Sequence, residues 1–169
     1  MKTSASIRPG ELSNLTAISA LAREIWWLHY PEILSRAQIA YMLDRMYSLD
    51  QLRQDVEKDG VKYFAAWLGE RMAGFAAVGP TDITSEFKLH KLYVHPQFQG
   101  NGLGKGLLEA AMKCAQHHRA TSLILSVNKR NHRALGAYRA WGFQTRDEVC
   151  VDIGGGFVMD DYILYRNLG

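Results

Sequence analysis

The sequence has very little cysteine. Cys114 and Cys150 are the only two cysteines in 169 residues, and their separation fits no Cys-x-x-Cys or related metal-ligand pattern. Both are interpreted as reduced thiols, which excludes a disulfide framework. Most of the histidines also lack a shared metal-ligand spacing, and no metal ion is assigned; these are His29, His95, His117, His118 and His132.

Long apolar runs are also missing. Residues 1–7 are followed by no apolar signal core, and no run approaches the roughly 18 apolar residues that a membrane helix needs. A membrane partner is therefore not expected, and a cytoplasmic location is.

No block of one charge sign occurs. The 20 basic and 17 acidic residues give a net charge of +3 and are spread along the chain, without the basic cluster typical of nucleic-acid binding. The small basic excess suits an anionic cofactor. Hydrophobic residues at 47% and charged residues at 22% are typical of a globular protein, and the length fits one domain spanning residues 1–169.

Periodic apolar positions and turn residues predict both helices and strands. Leu and Ile recur at helical spacing over residues 11–30, and two Ser-x-x-Gln capping boxes predict helices at about 35–46 and 49–58. The other predicted helices are at 103–117 and 131–141, and the predicted strands are at about 4–8, 61–68, 72–78, 87–94, 122–127, 143–152 and 157–167. The strand-helix-strand order over residues 87–127 implies parallel pairing of its two strands.

A glycine-rich loop lies between a predicted strand and a predicted helix. Its four glycines fall close together: Gly100, Gly102, Gly104 and Gly106. Their main-chain amides can converge as a nest that binds pyrophosphate at a helix N-terminus, and a plain tight turn is the alternative. Neither the Walker pattern nor the dinucleotide fingerprint fits, because Gln99 and Lys105 stand where those motifs need glycine.

Three sequence blocks resemble the GNAT acyltransferase superfamily. Its signature Gln/Arg-x-x-Gly-x-Gly/Ala is matched by Gln99, Gly102 and Gly104. Residues 89–96 resemble the superfamily's fourth strand and the exit from it. Residues 131–143 resemble its Asn-x-x-Ala block, which is followed by Tyr and then Gly-Phe.

The resemblance implies a fold and a cofactor. The fold is an α/β (α+β) GNAT-like domain with a mixed, mostly antiparallel sheet, helices on both faces and a splay between strands four and five. Acetyl-CoA would enter that splay, with its pantetheine arm beside the main chain of Leu92, Tyr93 and Val94. Its pyrophosphate would lie on the glycine loop, which consists of Gln99, Gly100, Asn101, Gly102, Leu103, Gly104 and Lys105.

Two residues of the last block are candidates for binding and catalysis. Tyr138 lies seven residues after Asn131 on the same predicted helix, which places both on one face about 10 Å apart. The resemblance implies that Asn131 binds the pantetheine arm and that Tyr138 protonates the leaving thiolate as general acid. The alternative for Tyr138 is a packed aromatic beside Leu135 and Trp141.

The acceptor amine also needs a base. By strand alternation, Glu86, Lys88, His90, Leu92 and Val94 are predicted to share one face of the fourth strand, and Phe87, Leu89 and Tyr93 the other. His90 is a candidate base because its side chain titrates near neutral pH and arylalkylamine acetyltransferases have a water-linked histidine there. A structural histidine is the alternative for His90. Glu86 is the second candidate base.

The predicted activity is direct acetyl transfer through a ternary complex to a primary amine. Residues 26–30 and 41–47 look most like bacterial polyamine acetyltransferases of the PaiA type, which implies a small amine or polyamine acceptor. Acetylation of a protein lysine or N-terminus, and a non-catalytic acyl-CoA-binding regulatory role, are the alternatives. A homodimer is expected from superfamily habit. Asp160 and Asp161 are interpreted as solvated strand residues or as a feature that attracts a polycation.

Overall fold

The protein folds around one seven-stranded sheet, seen in a computed structural model that describes residues 4–169. The strand order is β1-β2-β3-β4-β5-β7-β6. The strands are β1 Ala5–Pro9, β2 Lys62–Leu68, β3 Arg71–Pro80, β4 Glu86–Val94, β5 Ser122–Asn128, β6 Gln144–Gly154 and β7 Phe157–Asn167. The helices are α1 Leu15–His29, α2 Arg36–Tyr47, α3 Leu49–Glu57, α4 Leu103–His117 and α5 His132–Ala140.

Helices cover both faces of the sheet. Helices α1, α2 and α3 bury one apolar cluster against β2 and β3, with Trp26 and Tyr47 among its fully buried side chains. Helices α4 and α5 bury a second cluster on the opposite face, centred on Leu107 and Leu108. The mixed, mostly antiparallel sheet with helices on both faces is confirmed. None of the helices formed by residues 4–169 is both long and apolar enough to cross a membrane.

Local sequence signals position the helices. The hydroxyl oxygen of Ser35 accepts the Gln38 main-chain N–H at 3.1 Å, and that of Ser48 accepts the Gln51 N–H at 3.2 Å, so both predicted serine caps form. Helix α1 begins four residues later than predicted because a 3-10 turn, Leu12–Asn14, precedes it. The other predicted elements agree with the observed ones to within a few residues.

Strands β4 and β5 separate soon after they begin. They pair in parallel only at Glu86, Phe87 and Lys88, whose partners on β5 are residues 122–124. Beyond that point β5 pairs with β7 alone. The predicted splay is therefore confirmed, and the main chain of β4 from Leu89 to Val94 has no strand partner on its β5 side within the described chain.

A β-bulge at His90 changes which side chains of β4 share a face. Ala77 of β3 is paired with Lys91, and Val78 with Leu89, so His90 is an extra residue. The predicted strict alternation is wrong, because the extra residue moves every later side chain to the opposite face. Consequently Phe87 and Leu89 join Leu92 and Val94 on the α4 side, whereas Tyr93 packs on the α1 side.

Lys91 is turned inward by the same bulge. Its side chain is only 6% exposed, and its Nζ lies 3.1 Å from an Asp55 carboxylate oxygen and 2.7 Å from the Tyr63 hydroxyl. This buried ion pair joins α3 to the sheet and supports β4 immediately before the splayed segment.

Candidate active site

The splay opens into one cleft of about 1720 Å³. Its walls come from α1 and α2, from β4 with the loop before α4, from α5, and from the splayed ends of β5, β6 and β7. The cleft therefore joins the glycine loop to the tyrosine-rich end of α1. A two-substrate reaction needs a continuous space of this kind.

The glycine loop forms an open nest at the start of α4. Gly100 has φ +85° and Gly102 has φ +74°, a left-handed conformation that favours glycine. The first helical hydrogen bond runs from the Gly106 N–H to the Gly102 oxygen at 3.0 Å, so the amides of residues 103–105 have no main-chain acceptor within the described chain. A Cβ at Gly100 or Gly102 would meet no atom within 4 Å. Unpaired amides facing open space suit an anion.

The other loop side chains support the nest. The Gln99 Nε2 donates to the Val94 oxygen at 3.3 Å, and the Asn101 Nδ2 donates to the Phe98 oxygen at 3.0 Å. A Cβ on Gly104 would lie 3.4 Å from the Trp141 ring, so glycine allows α4 to approach α5 closely. Lys105 is exposed at the cleft wall and supplies a positive charge.

Tyr138 lies on the cleft wall beside the splay. Its ring packs edge-on against Trp141 and Phe143, with ring centroids 5.9 and 5.5 Å away. Desolvation, followed by the nearby Tyr30, raises the pKa of Tyr138 above its usual value of 10.0. The hydroxyl therefore stays protonated at neutral pH and is able to donate. Tyr138 therefore packs against neighbouring aromatic rings and also lines the cleft.

Two further tyrosines meet beside Tyr138. The hydroxyls of Tyr30, at the end of α1, and Tyr93, on β4, lie 2.9 Å apart. Burial raises the pKa of Tyr30 to about 12 and holds the pKa of Tyr93 well above 10.0, so both are neutral hydrogen-bonding groups. The indole of Trp26 stacks beneath them, with its ring centroid 4.4 Å from that of Tyr30.

Asn131 joins α5 to α1. It is 5% exposed and caps α5, because its Oδ1 accepts the Ala134 N–H at 3.4 Å. The same oxygen lies 3.2 Å from the His29 Nε2. Desolvation lowers the pKa of His29, which keeps that imidazole neutral. Only the Nδ2 of Asn131 is left to meet a ligand in the cleft.

The two candidate bases lie in different environments. His90 is exposed at the bulge on the cleft wall, and desolvation, followed by Lys88 and Lys91, lowers its pKa to about 4. Glu86 is 5% exposed and receives a 2.6 Å hydrogen bond from the Arg146 guanidinium. Glu86 is not among the cleft-lining residues of the described chain. The structure therefore brings His90, but not Glu86, to the cleft.

A buried acidic side chain lies in the cleft wall. Asp161 on β7 is 3% exposed, and its Oδ1 has no hydrogen-bond partner within the described chain. Desolvation raises the pKa of Asp161 to about 6. Its neighbour Asp160 points the other way and pairs with Lys129 at 2.9 Å. The interpretation of both as solvated strand residues is wrong for Asp161.

The turn between β6 and β7 reaches across to α2 beside the cleft. The Gln38 Nε2 donates to the Val158 oxygen at 2.8 Å, and the hydroxyl of Tyr41 donates to the Ile153 oxygen at 2.6 Å. Arg45 donates to the same Ile153 oxygen. Residues 153–158, which are held against α2 by these hydrogen bonds, are called the roof of the cleft.

Residues 20–143 match the Acetyltransferase (GNAT) family. The chain belongs to this family. It is 24% identical over 161 residues to the spermidine N(1)-acetyltransferase of Thermoplasma acidophilum, covering 93% of this chain and 96% of that relative. It is also 33% identical to the N-alpha-acetyltransferase RimI of Mycobacterium tuberculosis, over 48% of this chain and 51% of that protein.

A solved structure of the GNAT family has the same fold. The PaiA N-acetyltransferase of Thermoplasma acidophilum, crystallised with coenzyme A, superposes with a TM-score of 0.81 at 24% identity and covers 97% of this chain and 99% of that one. The predicted superfamily membership and the PaiA-type resemblance are therefore confirmed, and the protein is a GNAT N-acetyltransferase.

Sequence reasoning missed three features of this GNAT cleft. The Tyr30–Tyr93 contact joins α1 to β4 across 63 positions, and no local pattern indicates it. The roof likewise depends on contacts between α2 and the last two strands. Asp161 did leave a signal, because it alternates with Met159 and Ile163, whose side chains line the same wall.

Proposed function

We propose that this acetyltransferase moves the acetyl group of acetyl-CoA directly to a small primary amine or polyamine. The observation that carries the proposal is the single cleft, which joins an open phosphate nest, an unpaired edge of β4 and the hydroxyl of Tyr138. The named activity of the Thermoplasma acidophilum relative, spermidine N(1)-acetylation, supports the polyamine class.

The nest and the free edge fit acetyl-CoA. The amides of residues 103–105 would hold the pyrophosphate, with Gly100 and Gly102 leaving the approach open and Lys105 adding charge. The main chain of residues 92–94 would pair with the pantetheine arm as an added strand would, and the Asn131 Nδ2 would reach it from α5. Acetyl-CoA supplies the acetyl group as a reactive thioester.

Tyr138 is proposed as the general acid. The departing sulfur needs a proton, and a positioned hydroxyl can donate to it while the carbon–sulfur bond breaks. Because desolvation raises the pKa of Tyr138, its hydroxyl is fully protonated before the reaction. Its high pKa also means that it regains a proton easily afterwards.

His90 remains a candidate to act on the acceptor side, through a water. With a pKa of about 4 it is neutral at physiological pH and accepts hydrogen bonds, but it is a weak proton acceptor. The ion pair of Glu86 with Arg146 makes that carboxylate the weaker candidate. His90 therefore suits a role in orienting the acceptor better than a role as the main base.

The roof favours a small acceptor over a protein chain. The hydrogen bonds from Gln38, Tyr41 and Arg45 close the cleft between α2 and the turn before β7. An extended peptide needs an open groove on that side, whereas a small amine enters from the remaining mouth.

The proposal is tested by thiol release from acetyl-CoA against polyamines, arylalkylamines, amino acids and lysine peptides. We expect the highest kcat/KM with small alkylamines or polyamines. A preference for lysine peptides by tenfold or more would replace the small-amine acceptor with a protein one. Tight acetyl-CoA binding with no thiol release for any acceptor would point to a regulatory acyl-CoA-binding protein.

A further inference from the structure

Asp161 is the most unusual polar group of the described chain. Three buried side-chain polar atoms of residues 4–169 lack a hydrogen-bond partner, and the Asp161 Oδ1 is the only carboxylate oxygen among them; the others are the Trp26 Nε1 and the Tyr47 hydroxyl. Buried carboxylates are ordinarily paired, because an isolated charge away from water is costly. Asp161 lies in the wall of the cleft with one buried carboxylate oxygen unpaired, which makes it a candidate partner for a cation that enters the cleft.

The charged groups around Asp161 leave its carboxylate unpaired. Lys129, after β5, is held by Asp160 at 2.9 Å and by Glu148 at 3.7 Å. Lys88, from β4, lowers the pKa of Asp161 but forms no ion pair with it within the described chain. Tyr30, directly after α1, is affected by the charge of Asp161, and His29 at the end of α1 also lines the cleft; the cleft-lining side chains of β6 are the apolar Val149 and Val151.

We propose that Asp161 binds the ammonium group of the acceptor and accepts its proton. This inference rests on the proposed acetyl transfer and deepens it, because it selects acceptors that arrive as cations. An alkylamine with a pKa near 10 is about 99.9% ammonium at pH 7. Met159 and Ile163 extend apolar wall on both sides of the carboxylate, which suits an alkyl chain attached to that ammonium.

The position of Asp161 connects it to the reacting groups. Its charge acts on Tyr30, whose hydroxyl contacts Tyr93 at 2.9 Å, and Tyr30 in turn acts on Tyr138. Asp161 on β7, Tyr30 and Tyr138 on α5 all line the same cleft. A base on one wall and an acid on the other is the arrangement that amine acetylation needs.

The proposed step balances as follows. The ammonium N–H bond breaks and its proton passes to the Asp161 carboxylate, leaving a neutral amine with a free electron pair. The amine nitrogen then bonds to the acetyl carbon, the carbon–sulfur bond breaks, and its electron pair stays on sulfur. The Tyr138 hydroxyl gives sulfur a proton and takes one back from the new amide nitrogen. Asp161 finally releases its proton to water, so one proton is produced per acetyl group transferred.

A raised pKa helps Asp161 in this role. A carboxyl group with a pKa of about 6 is ionised at pH 7.5 and is a stronger base than an ordinary carboxylate, whose pKa is 3.8. The burial that raises the pKa also strengthens the attraction to an ammonium ion.

The test compares Asp161→Asn with a matched control, Asp160→Asn, on the adjacent exposed position. Binding of putrescine to the CoA-loaded protein is measured by calorimetry. We expect Asp161→Asn to weaken putrescine binding by roughly 30-fold or more, because a buried charge loses its partner, and Asp160→Asn to change it by less than about threefold. CoA affinity should be unchanged in both variants.

Kinetics with two acceptors separates a charge-specific role from a structural one. Asp161→Asn should lower kcat/KM for putrescine by roughly 10²-fold to 10⁴-fold, but lower that of a neutral arylamine only slightly. An equal loss for both acceptors, or unchanged putrescine binding, would overturn the role of Asp161. Arylamine acetylation by a protein that fails to bind putrescine would retain the transferase function and reject this inference. Putrescine binding that depends on Asp161, without thiol release, would retain the binding role of Asp161 and reject the transferase function.

Discussion

Replacement of Asp161 by Asn should stabilise the folded protein at neutral pH. The substitution keeps the shape of the side chain and removes only its charge. In the folded protein the pKa of Asp161 is about 6, against an ordinary value of 3.8, so folding disfavours the ionised form. Each pKa unit corresponds to 1.36 kcal/mol, which gives an upper bound of about 3 kcal/mol. Because the surroundings of a buried charge relax and reduce its cost, we expect about 1 to 2 kcal/mol.

The destabilising effect of the Asp161 charge depends on pH. A carboxyl group whose pKa is higher in the folded state is protonated in both states below about pH 3.8, and its destabilising effect is then absent. The effect grows as pH rises from about 4 to 6 and is constant above that range. The stability gain of Asp161→Asn should therefore be small near pH 4 and full at pH 8.

Thermal unfolding at several pH values, in buffers free of amines, measures the effect directly. At pH 8 we expect the melting temperature of Asp161→Asn to exceed that of the unsubstituted protein by roughly 2 to 8 °C. Asp160→Asn, which breaks the exposed pair with Lys129, should change stability little or lower it. A gain of equal size at pH 4 and pH 8, or a loss at pH 8, would refute the reasoning.

Three further outcomes are expected. Gly102→Glu should abolish CoA binding measured by calorimetry while the fold survives, since the carboxylate would repel the pyrophosphate; unchanged affinity in a folded variant would remove the phosphate-loop assignment. Tyr138→Phe should leave CoA affinity nearly intact and lower turnover by roughly 10²-fold to 10⁴-fold, and wild-type turnover would make Tyr138 a packing residue only. With putrescine as acceptor, the rate should rise with pH near 6, where Asp161 ionises, and this rise should persist in His90→Gln because the pKa of His90 is about 4; its loss there would make His90 the base.

Much of the fold could be predicted because its signals are local. The serine caps of α2 and α3 depend on contacts three residues apart, and they form as expected. The left-handed glycines before α4 satisfy a backbone requirement that the residue type itself reveals. The order of strand, glycine loop and helix therefore indicated the cofactor side of the cleft, as did the resemblance to the family.

The acceptor side depended on tertiary structure. A bulge is a mismatch between two strands, so the inward turn of Lys91 after His90 could not be deduced from β4 alone. The contact of Tyr30 with Tyr93 and the hydrogen bond between Asn131 and His29 join segments far apart in the chain.

The chain's own residues thus determined its elements, its glycine loop and its family, because short-range hydrogen bonds and backbone preferences control them. Burial is different, since it depends on which elements pack over a position. Asp160 and Asp161 are identical residues side by side in the sequence, yet one is paired at the surface and the other is unpaired in the cleft wall. Only the tertiary arrangement around β7 decided which of the two is buried in the cleft wall.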